Sequence, residues 1–377
     1  MRLVSIDLVD FRNYHQATLE PASGLTAVIG ENGEGKTNLI EAIGYLATLS
    51  SFRGAPGEAL IRDGAQTAVV RAVVDQDSET TLEGERHRSV SIEAELRLNG
   101  RDRVLVNRQA LKRTSDLLGS VRVTIFSPDD LRLIKGGPSE RRGYLDAILV
   151  SLSPKNAALV GDLDRVLRQR NTLLKQAAGR LTPEIDSTLQ VWDSKLSTLG
   201  EILGTARVEL VQRLTPYFAE TYAQVSNRSD AVELEYEPSW REEGLVGALD
   251  KARKDDLRRG VTTVGPHRDE LTIRIGKFFS RTHASQGEQR SLALAMRLAS
   301  HNLVNQETQT PPILLLDDVF SELDPNRSSA LLKNLPPGQA LLTTTEDLPP
   351  DTKPEKVIRV NKGQVFPAES QLHPVED

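Results

Sequence analysis

The chain has 377 residues, with 47 lysines and arginines against 53 aspartates and glutamates and a formal net charge of -6. This length predicts about two or three domains. There is no cysteine, which excludes disulfides, a thiol nucleophile and cysteine-ligated metal sites. The acidic balance alone does not favour nucleic acid as a partner.

The N-terminus and the hydropathy of the chain predict where the protein works. No run of about 18 apolar residues is present that could cross a membrane. Asp7 and Asp10 lie where a signal peptide needs its apolar segment. We therefore expect a cytoplasmic protein without a membrane partner.

The first third of the chain is predicted to be rich in strands. Residues 25–29 form a short apolar run typical of a buried strand, and residues 39–49 change to a helical period. Residues 90–98 alternate apolar and polar side chains, which predicts a half-buried strand. Asn99-Gly100 predicts a hairpin turn after it, and residues 104–106 are predicted to form the second strand of that hairpin. The polar residues 76–89 predict an exposed loop.

The middle of the chain is predicted to be helical. Seven apolar residues with 3-4 spacing form a heptad seam: Leu189, Trp192, Leu196, Leu199, Leu203, Ala206 and Leu210. A preceding helix is separated from them by Pro183. The implied helix of roughly 27 residues is about 40 Å long, so we expect a short helical hairpin and no long coiled coil.

The last third is predicted to alternate helix and strand from about residue 285. Residues 313–316 and 340–342 are short apolar runs typical of buried strands. The last dozen residues contain two prolines and few apolar groups, which predicts a frayed tail. This alternation predicts an α/β fold.

A phosphate-binding loop follows the first buried strand. The run matches G-x-x-x-x-G-K-[ST] at every fixed position: Gly30, Glu31, Asn32, Gly33, Glu34, Gly35, Lys36 and Thr37. A strand before it and an amphipathic helix after it favour this interpretation over a chance glycine-rich turn. Backbone N–H groups and Lys36 would hold the phosphates of ATP, and the Thr37 hydroxyl would bind Mg²⁺.

Two aspartates end the apolar strand at residues 313–316. Asp317 emerges at the carboxyl end, where ligands bind in open α/β sheets, and would hold Mg²⁺. Asp318 would orient or deprotonate the attacking water. The alternative is a solvated acidic turn, which the phosphate loop makes less favoured.

A third motif opens the helix after residue 285. Ser285 and Glu288 form a capping-box pattern, which could be a helix N-cap and nothing more. Together with Gly287, Gln289 and the Asp-Asp strand end, however, Ser285 fits the signature motif of ABC-type ATPases. In those proteins the signature contacts the γ-phosphate bound by the opposite protomer. Ser321 and Asp324 then lie in a loop where two protomers would meet.

The whole chain resembles the RecF family of bacterial DNA-repair ATPases. The most specific stretch of the resemblance runs from Pro128 to Asp146 and includes Arg141-Arg142; Phe11-Arg12-Asn13-Tyr14 and Gly265-Pro266-His267-Arg268-Asp269 also match. The resemblance implies an ABC-type P-loop ATPase head with an antiparallel β subdomain and a compact helical lobe. The head would comprise residues 1–135 and 270–377, and the helical lobe residues 136–269.

The resemblance also implies an activity and partners. It implies a homodimer formed on ATP binding, DNA binding, weak DNA-dependent ATPase activity and Arg12 in the nucleotide site. It further implies work with RecO and RecR to load the RecA recombinase at gaps and stalled forks, in support of the SOS response.

Departures from the ABC pattern predict slow turnover. Asp318 stands where ABC ATPases usually carry glutamate, so its reach to water is one methylene shorter. Thr343-Thr344-Thr345 replaces the usual switch histidine, and a hydroxyl cannot carry its positive charge. No clear glutamine marks the γ-phosphate-sensing loop, whose place residues 126–130 could take. These features suit an ATPase whose slow hydrolysis sets how long the ATP-bound state lasts better than one that hydrolyses ATP in rapid cycles.

The surface that contacts DNA is predicted from clusters of basic residues. The candidates are Arg101, Arg103, Arg108, Lys112 and Arg113, followed by Arg141 and Arg142. An ordinary solvated face is the alternative. Residues 305–377 carry 12 acidic and 6 basic residues and so account for the whole net charge, whereas residues 97–113 carry six basic groups and one acidic group. The acidic sum therefore does not exclude DNA, for which no sequence specificity is expected.

Two rival functions remain open. One is the cytoplasmic engine of an ABC transporter, which would lack the RecF-like stretch from 128 to 146. The other is an SMC-like structural clamp that binds ATP without useful hydrolysis. The role of Asp318 separates this clamp from a repair ATPase.

Overall fold

The computed structural model describes residues 1–81, 84–226, 230–345, 348–349 and 352–367, and their side chains except at 77–81, 84–88, 114, 115 and 322. Contacts divide the chain into two compact units. Unit 1 comprises residues 1–130, 224–227 and 304–377, and unit 2 comprises residues 131–223 and 228–303. Residues 131–135 and 270–303, which the sequence assigns to the head, group with unit 2, so the division differs there from the expected one.

The described residues form fifteen strands along the chain. They are β1 (Arg2–Phe11), β2 (Tyr14–Leu19), β3 (Leu25–Ile29), β4 (Thr67–Thr81), β5 (Gly84–Arg97), β6 (Arg103–Val106), β7 (Gln109–Ala110), β8 (Val123–Phe126), β9 (Val232–Tyr236), β10 (Leu271–Ile275), β11 (Phe278–Phe279), β12 (Ile313–Leu316), β13 (Ala340–Thr344), β14 (Lys356–Asn361) and β15 (Gln364–Pro367).

The described residues also form nine α-helices. They are α1 (Lys36–Thr48), α2 (Leu131–Lys135), α3 (Pro138–Leu152), α4 (Lys155–Ala177), α5 (Pro183–Ser226), α6 (Gly244–Arg259), α7 (Ser280–His283), α8 (Gln286–Thr308) and α9 (Pro325–Lys333). Short 3-10 helices lie at Gly57–Leu60, Thr114–Leu117, Pro128–Asp130 and Val319–Glu322. No helix in the described part of the chain is both long and apolar enough to span a bilayer.

Unit 1 contains an antiparallel sheet with the strand order β2-β1-β4-β5-β6-β7. The alternating side chains of β5 bury Val90, Ile92, Ala94 and Leu96, as the period-two pattern predicts. The exposed loop predicted at 76–89 is wrong for the described residues, because β4 and β5 pair at Gln76↔Arg88 and, after a register shift, from Glu79↔Arg86 to Thr81↔Gly84. Residues 82 and 83 of that loop lie outside the described residues. The antiparallel β subdomain is therefore longer than its apolar residues indicate.

The second sheet of unit 1 positions the predicted motifs. Its order is β15-β14-β3-β13-β12-β8, and β3, β8, β12, β13 and β14 run parallel. The motifs lie at the carboxyl ends of three adjacent strands: the phosphate loop after β3, Asp317 after β12 and Thr343 within the end of β13. All four residues of β12 are buried, as expected for a central parallel strand.

Unit 2 combines helices α2 to α6 with a small sheet of order β11-β10-β9. The predicted heptad seam lies in α5, where Leu189, Leu196, Leu203 and Leu210 are completely buried. Helix α5 has 44 residues and is about 66 Å long, much longer than the predicted 27 residues, and it continues through Pro216. The predicted helical lobe is confirmed, but its hairpin is not as short as the sequence indicates.

A buried charged cluster ties three helical segments of unit 2 together. The guanidinium of Arg170 is completely buried and donates to Asp193 at 2.6 Å, to Asp256 at 2.7 Å and to the Thr262 hydroxyl at 2.9 Å. Asp256 also accepts from the backbone N–H and hydroxyl of Thr263. An arginine with this many partners is structural, because an unpaired buried charge is strongly destabilising.

Candidate nucleotide-binding site

The phosphate loop connects β3 to α1 in the predicted strand-loop-helix arrangement. Lys36 begins α1, and its ammonium group donates to the carbonyl oxygens of Gly30 and Glu31, each at 2.8 Å. Burial lowers the pKa of Lys36, an effect opposed by the nearby Asp318, Asp317 and Glu34 carboxylates. Loop carbonyls therefore hold the lysine at the mouth of the loop, where it can exchange them for phosphate oxygens.

Glycine is required at the start of this loop because of the neighbouring strand. A Cβ atom added to Gly30 would lie 2.3 Å from the carbonyl oxygen of Val360 in β14. The middle of the loop is open, since Glu31, Asn32 and Gly33 are exposed. The loop therefore packs its first residue against the sheet and presents its crest to solvent.

The end of the loop is held by residues whose role the motif does not reveal. The buried Tyr14 hydroxyl donates to the Gly35 carbonyl at 2.9 Å, and the Asn13 amide donates to the Glu34 carbonyl at 2.8 Å. The Gly363 backbone N–H donates to the same Glu34 carbonyl at 3.1 Å. Asn13 and Tyr14 belong to the Phe-Arg-Asn-Tyr run, so that run fixes the shape of the loop.

Arg12 lies beside this site and is paired. Its guanidinium binds the completely buried Glu41 carboxylate of α1 through two hydrogen bonds of 2.8 Å, and it donates to the Ala59 carbonyl at 2.9 Å. Glu41 also lies 3.9 Å from Arg53 and accepts from the Ser51 hydroxyl. Sequence reasoning missed Glu41, since a glutamate on an amphipathic helix resembles a surface residue. Nucleotide contact by Arg12 stays a prediction.

Three oxygen-bearing side chains meet where the parallel strands end. The Thr37 hydroxyl donates to Asp317 Oδ1 at 2.9 Å, and the Thr343 hydroxyl donates to the same oxygen at 2.8 Å. Burial raises the pKa of Asp317, although both hydrogen bonds lower it. A buried carboxylate beside a hydroxyl is the oxygen donor set that Mg²⁺ prefers, so these residues fit the expected magnesium ion.

Asp318 has an unusual backbone conformation, and its two carboxylate oxygens differ in their hydrogen bonding. Its backbone is left-handed with φ of 48°, and its N–H donates to the Thr343 hydroxyl at 2.9 Å. Oδ2 accepts from the Ser321 hydroxyl at 2.9 Å, whereas Oδ1 is buried with no hydrogen-bond partner among the described residues. A buried, unpartnered carboxylate oxygen is costly in a fold and is a suitable acceptor for a proton from water.

The loop after Asp318 has the two residues that were assigned to a dimer contact. Ser321 is exposed, and its hydroxyl supports Asp318. Asp324 is also exposed and caps α9 by accepting from the Arg327 N–H at 3.0 Å. Both side chains therefore have local structural roles, and a contact with a second copy stays a prediction.

The signature motif lies in unit 2 at the start of α8. Ser285 is exposed, its N–H donates to Glu288 Oε2 at 2.8 Å, and the Glu288 N–H donates back to the Ser285 hydroxyl at 3.3 Å. This reciprocal pair is the capping box that the sequence predicts. Gln289 is buried and donates to the Ala284 carbonyl at 2.9 Å, and Gly287 is half-buried. The capping box and an anion-binding role are compatible.

The predicted basic surface is only partly retained. Arg101, Arg103, Arg108, Lys112 and Arg113 are exposed in or near β6 and β7.

The assignment of Arg141 and Arg142 to that surface is corrected by the structure. Arg141 is 4% exposed, binds Glu270 at 2.7 and 2.8 Å, and donates to two backbone carbonyls. Arg142 is half-buried and donates to the Asp269 carbonyl at 2.8 Å. Arg141 therefore stabilises unit 2 through its carboxylate and carbonyl partners, and Arg142 is tied to the same unit by one backbone carbonyl.

Comparison with known proteins identifies the family. The family model described as "RecF/RecN/SMC N terminal domain" matches residues 2–347. The DNA replication and repair protein RecF of Streptomyces avermitilis is 42% identical, covering 93% of this chain and 95% of that protein, and RecF of Frankia alni is 41% identical over 98% and 100%. These relatives remove the transporter alternative.

Solved structures agree. "Structure of the recombination mediator protein RecF-ATPrS in RecFOR pathway" is 32% identical with a TM-score of 0.87 and covers 97% of this chain and 98% of that one. An SMC head bound to a ScpA domain is 18% identical, covers 98% of each chain, has a TM-score of 0.60 and shares the fold. The chain therefore belongs to the RecF family of DNA replication and repair proteins.

Proposed function

We propose that this chain is an ATP-dependent DNA-binding protein of recombinational repair and replication restart, acting in the cytoplasm. The observation that carries the proposal is the meeting of Thr37, Asp317 and Thr343 beside the phosphate loop. A fold that binds no nucleotide would have no reason to bury a carboxylate next to a phosphate loop. RecF relatives whose structures are described with ATP or ATPrS support the same ligand.

The residues of unit 1 have distinct roles in this proposal. Backbone N–H groups of residues 31–37 and the Lys36 ammonium bind the phosphates, while Tyr14 and Asn13 keep the loop in shape. Thr37 and Asp317 hold Mg²⁺, which neutralises phosphate charge when bound. The free Oδ1 of Asp318 accepts a hydrogen bond from the attacking water and takes its proton.

A second copy of the chain completes the site. Ser285 is exposed at the start of α8, a helix N-terminus of the kind that binds anions, and would contact the γ-phosphate held by its partner. Gly287 and Gln289 would lie beside it. ATP binding therefore joins two copies, and this dimer binds DNA without sequence specificity.

Slow hydrolysis fits the same residues. Asp318 is short, Ser321 holds one of its oxygens, and the Thr343 hydroxyl is already bonded to Asp317 and to the Asp318 N–H. No cationic side chain replaces the switch histidine at that position. The dimer would thus remain on DNA gaps and junctions for a long time, assist RecO and RecR in loading RecA, and support the SOS response. The solved RecF structures are described as parts of a RecFOR pathway.

The experiment that tests this proposal measures ATP hydrolysis and light scattering with and without DNA. We expect ATP to convert the chain to a dimer and DNA to stimulate a slow hydrolysis. Asp318→Asn should form the ATP dimer but hydrolyse at least about tenfold more slowly, because the general base is lost. Asp129→Asn, an exposed aspartate near the same strand ends, is the matched control and should behave as wild type.

An SMC-like clamp without useful hydrolysis is the second candidate. The bonded hydroxyl of Thr343 favours it, since no side chain at that position is free to sense the γ-phosphate. A chain that dimerises with ATP but whose residual hydrolysis is the same for wild type and Asp318→Asn is this clamp. A chain that stays monomeric with ATP and ignores DNA contradicts both candidates.

A further inference from the structure

Two adjacent phenylalanines are exposed on a hairpin of unit 2 that the nucleotide chemistry does not use. Strand β10 turns at Gly276-Lys277 into β11, which consists of Phe278 and Phe279. Their side chains are 57% and 49% exposed. The chain has only eight phenylalanines, so two neighbouring exposed rings are unusual. Such a patch indicates a contact surface.

Each ring contacts one neighbouring side chain and remains about half exposed. His283 of α7 stacks on Phe278, with ring centroids 4.9 Å apart and an angle of 28° between the planes. The Arg274 guanidinium lies 4.3 Å from the centroid of Phe279, its cross-strand neighbour, and is fixed by Glu235 at 2.7 Å. The rings are therefore ordered before any ligand arrives, which reduces the entropy cost of binding.

The surroundings of the rings are basic. Lys277 and Arg281 are exposed, and neither makes an ion pair with any residue that the structure describes. Two carboxylates of the neighbouring elements are already used, since Glu270 binds Arg141 and Glu235 binds Arg274. The exposed Glu233 of β9 pairs with Arg274 across the sheet, one strand further from the rings than β10. Free cations beside ordered aromatic faces are the combination that binds single-stranded nucleic acid, where bases stack and phosphates are neutralised.

We propose that this patch, residues 277–283, binds an unpaired segment of DNA next to a duplex. A base stacks on the open face of Phe278 or Phe279, and Lys277 and Arg281 bind the adjoining phosphates. This assignment rests on the proposed DNA binding at gaps and junctions and adds the residues that hold the single-stranded part. The patch has aromatic rings for base stacking and cations for phosphate binding. Its proposed contacts include no side chain that forms two hydrogen bonds to a base edge, which agrees with sequence-independent binding.

The test uses fluorescence anisotropy of the full chain with two labelled oligonucleotides, a blunt duplex and the same duplex with a single-stranded tail. We expect Phe278→Ala/Phe279→Ala to weaken binding of the tailed duplex about tenfold and leave the blunt duplex within about twofold. Phe366→Ala, another exposed phenylalanine, is the matched control and should change neither affinity. Phe278→Trp/Phe279→Trp should retain the preference for the tail.

Salt dependence tests the phosphate contacts separately. Lys277→Gln/Arg281→Gln should reduce the slope of log K against log salt for the tailed duplex by about 1.4, the loss of two single-strand contacts. Equal weakening on both DNAs overturns the assignment, as does an alanine variant with unchanged DNA binding. Loss of the ATP dimer in the absence of DNA would assign the patch to a subunit interface and also overturns it. If wild type binds neither DNA, the proposed function fails as well.

Discussion

Replacement of Thr343 by valine tests the hydroxyl that links the two aspartates. Valine has the same shape but cannot donate to Asp317 at 2.8 Å or accept from the Asp318 N–H at 2.9 Å. A hydrogen bond to a charged group contributes about 1.5–3 kcal/mol, and a buried N–H without an acceptor costs about 1–3 kcal/mol. Because Thr37 still bonds Asp317, we expect a loss of about 2–4 kcal/mol in unfolding free energy, measured with urea.

The same substitution should change the pH dependence of nucleotide binding. Burial raises the pKa of Asp317 and the Thr343 hydrogen bond lowers it, so its removal raises the pKa further. Magnesium needs the ionised carboxylate. Calorimetric titration should therefore show that Mg²⁺-dependent ATP affinity of Thr343→Val falls at a higher pH than that of wild type. Thr345→Val is the control, and a Thr343→Val protein with wild-type stability and pH profile refutes the reasoning.

Three further predictions address the loop and unit 2. Gly30→Ala should abolish ATP binding because its Cβ would meet a backbone oxygen at 2.3 Å, whereas Gly57→Ala, with no atom within 4 Å, should bind normally in the same titration. Asp256→Asn should lower the unfolding free energy by about 3–5 kcal/mol, because the buried Arg170 loses a charged partner. The control Asp255→Asn, at an exposed ion pair, should lower it by under about 1 kcal/mol. Similar losses in the two variants would contradict this prediction. Burial lowers the pKa of His267 to about 4, so the unfolded chain binds a proton at this histidine at a higher pH than the folded chain does. The unfolding free energy should therefore fall by up to about 3 kcal/mol as pH drops from about 6.5 to 4. His267→Gln should flatten that part of the plot of unfolding free energy against pH.

The sequence predicts the site best where the chemistry is local. The phosphate loop, the strand before it and the capping box at Ser285 each depend on residues within a few positions of one another. The sequence predicts Asp317 as a site residue because an apolar strand followed directly by aspartate is a local pattern. These features follow from backbone geometry and side-chain type, which a single sequence displays.

Features that depend on distant partners were missed or misassigned. Arg141 looks like part of a basic surface, yet its partner Glu270 is 129 residues away. Glu41 looks like a surface residue of α1, yet it is buried by Arg12 from the preceding hairpin. No single-sequence pattern records which charges will be paired after folding, so burial of charge is the least predictable property of this chain.

Two elements were misjudged because composition and structure diverge. Residues 76–89 are mostly polar, but β4 and β5 pair again beyond a register shift between Gln76 and Glu79. Helix α5 extends to Ser226, beyond the last predicted heptad residue, because Pro216 does not end it. In both cases the backbone continues an element that the apolar pattern no longer marks.

The most direct test of the central claim, that each bound ATP contacts both copies, is a mixing experiment. Lys36→Ala removes the loop lysine, and Ser285→Arg blocks the exposed signature of α8. Each variant alone should fail to form the ATP dimer and should hydrolyse ATP negligibly. A mixture should regain dimers and hydrolysis, because one intact loop then meets one intact signature. A mixture as inactive as its parts, or full activity of Ser285→Arg alone, would contradict the account.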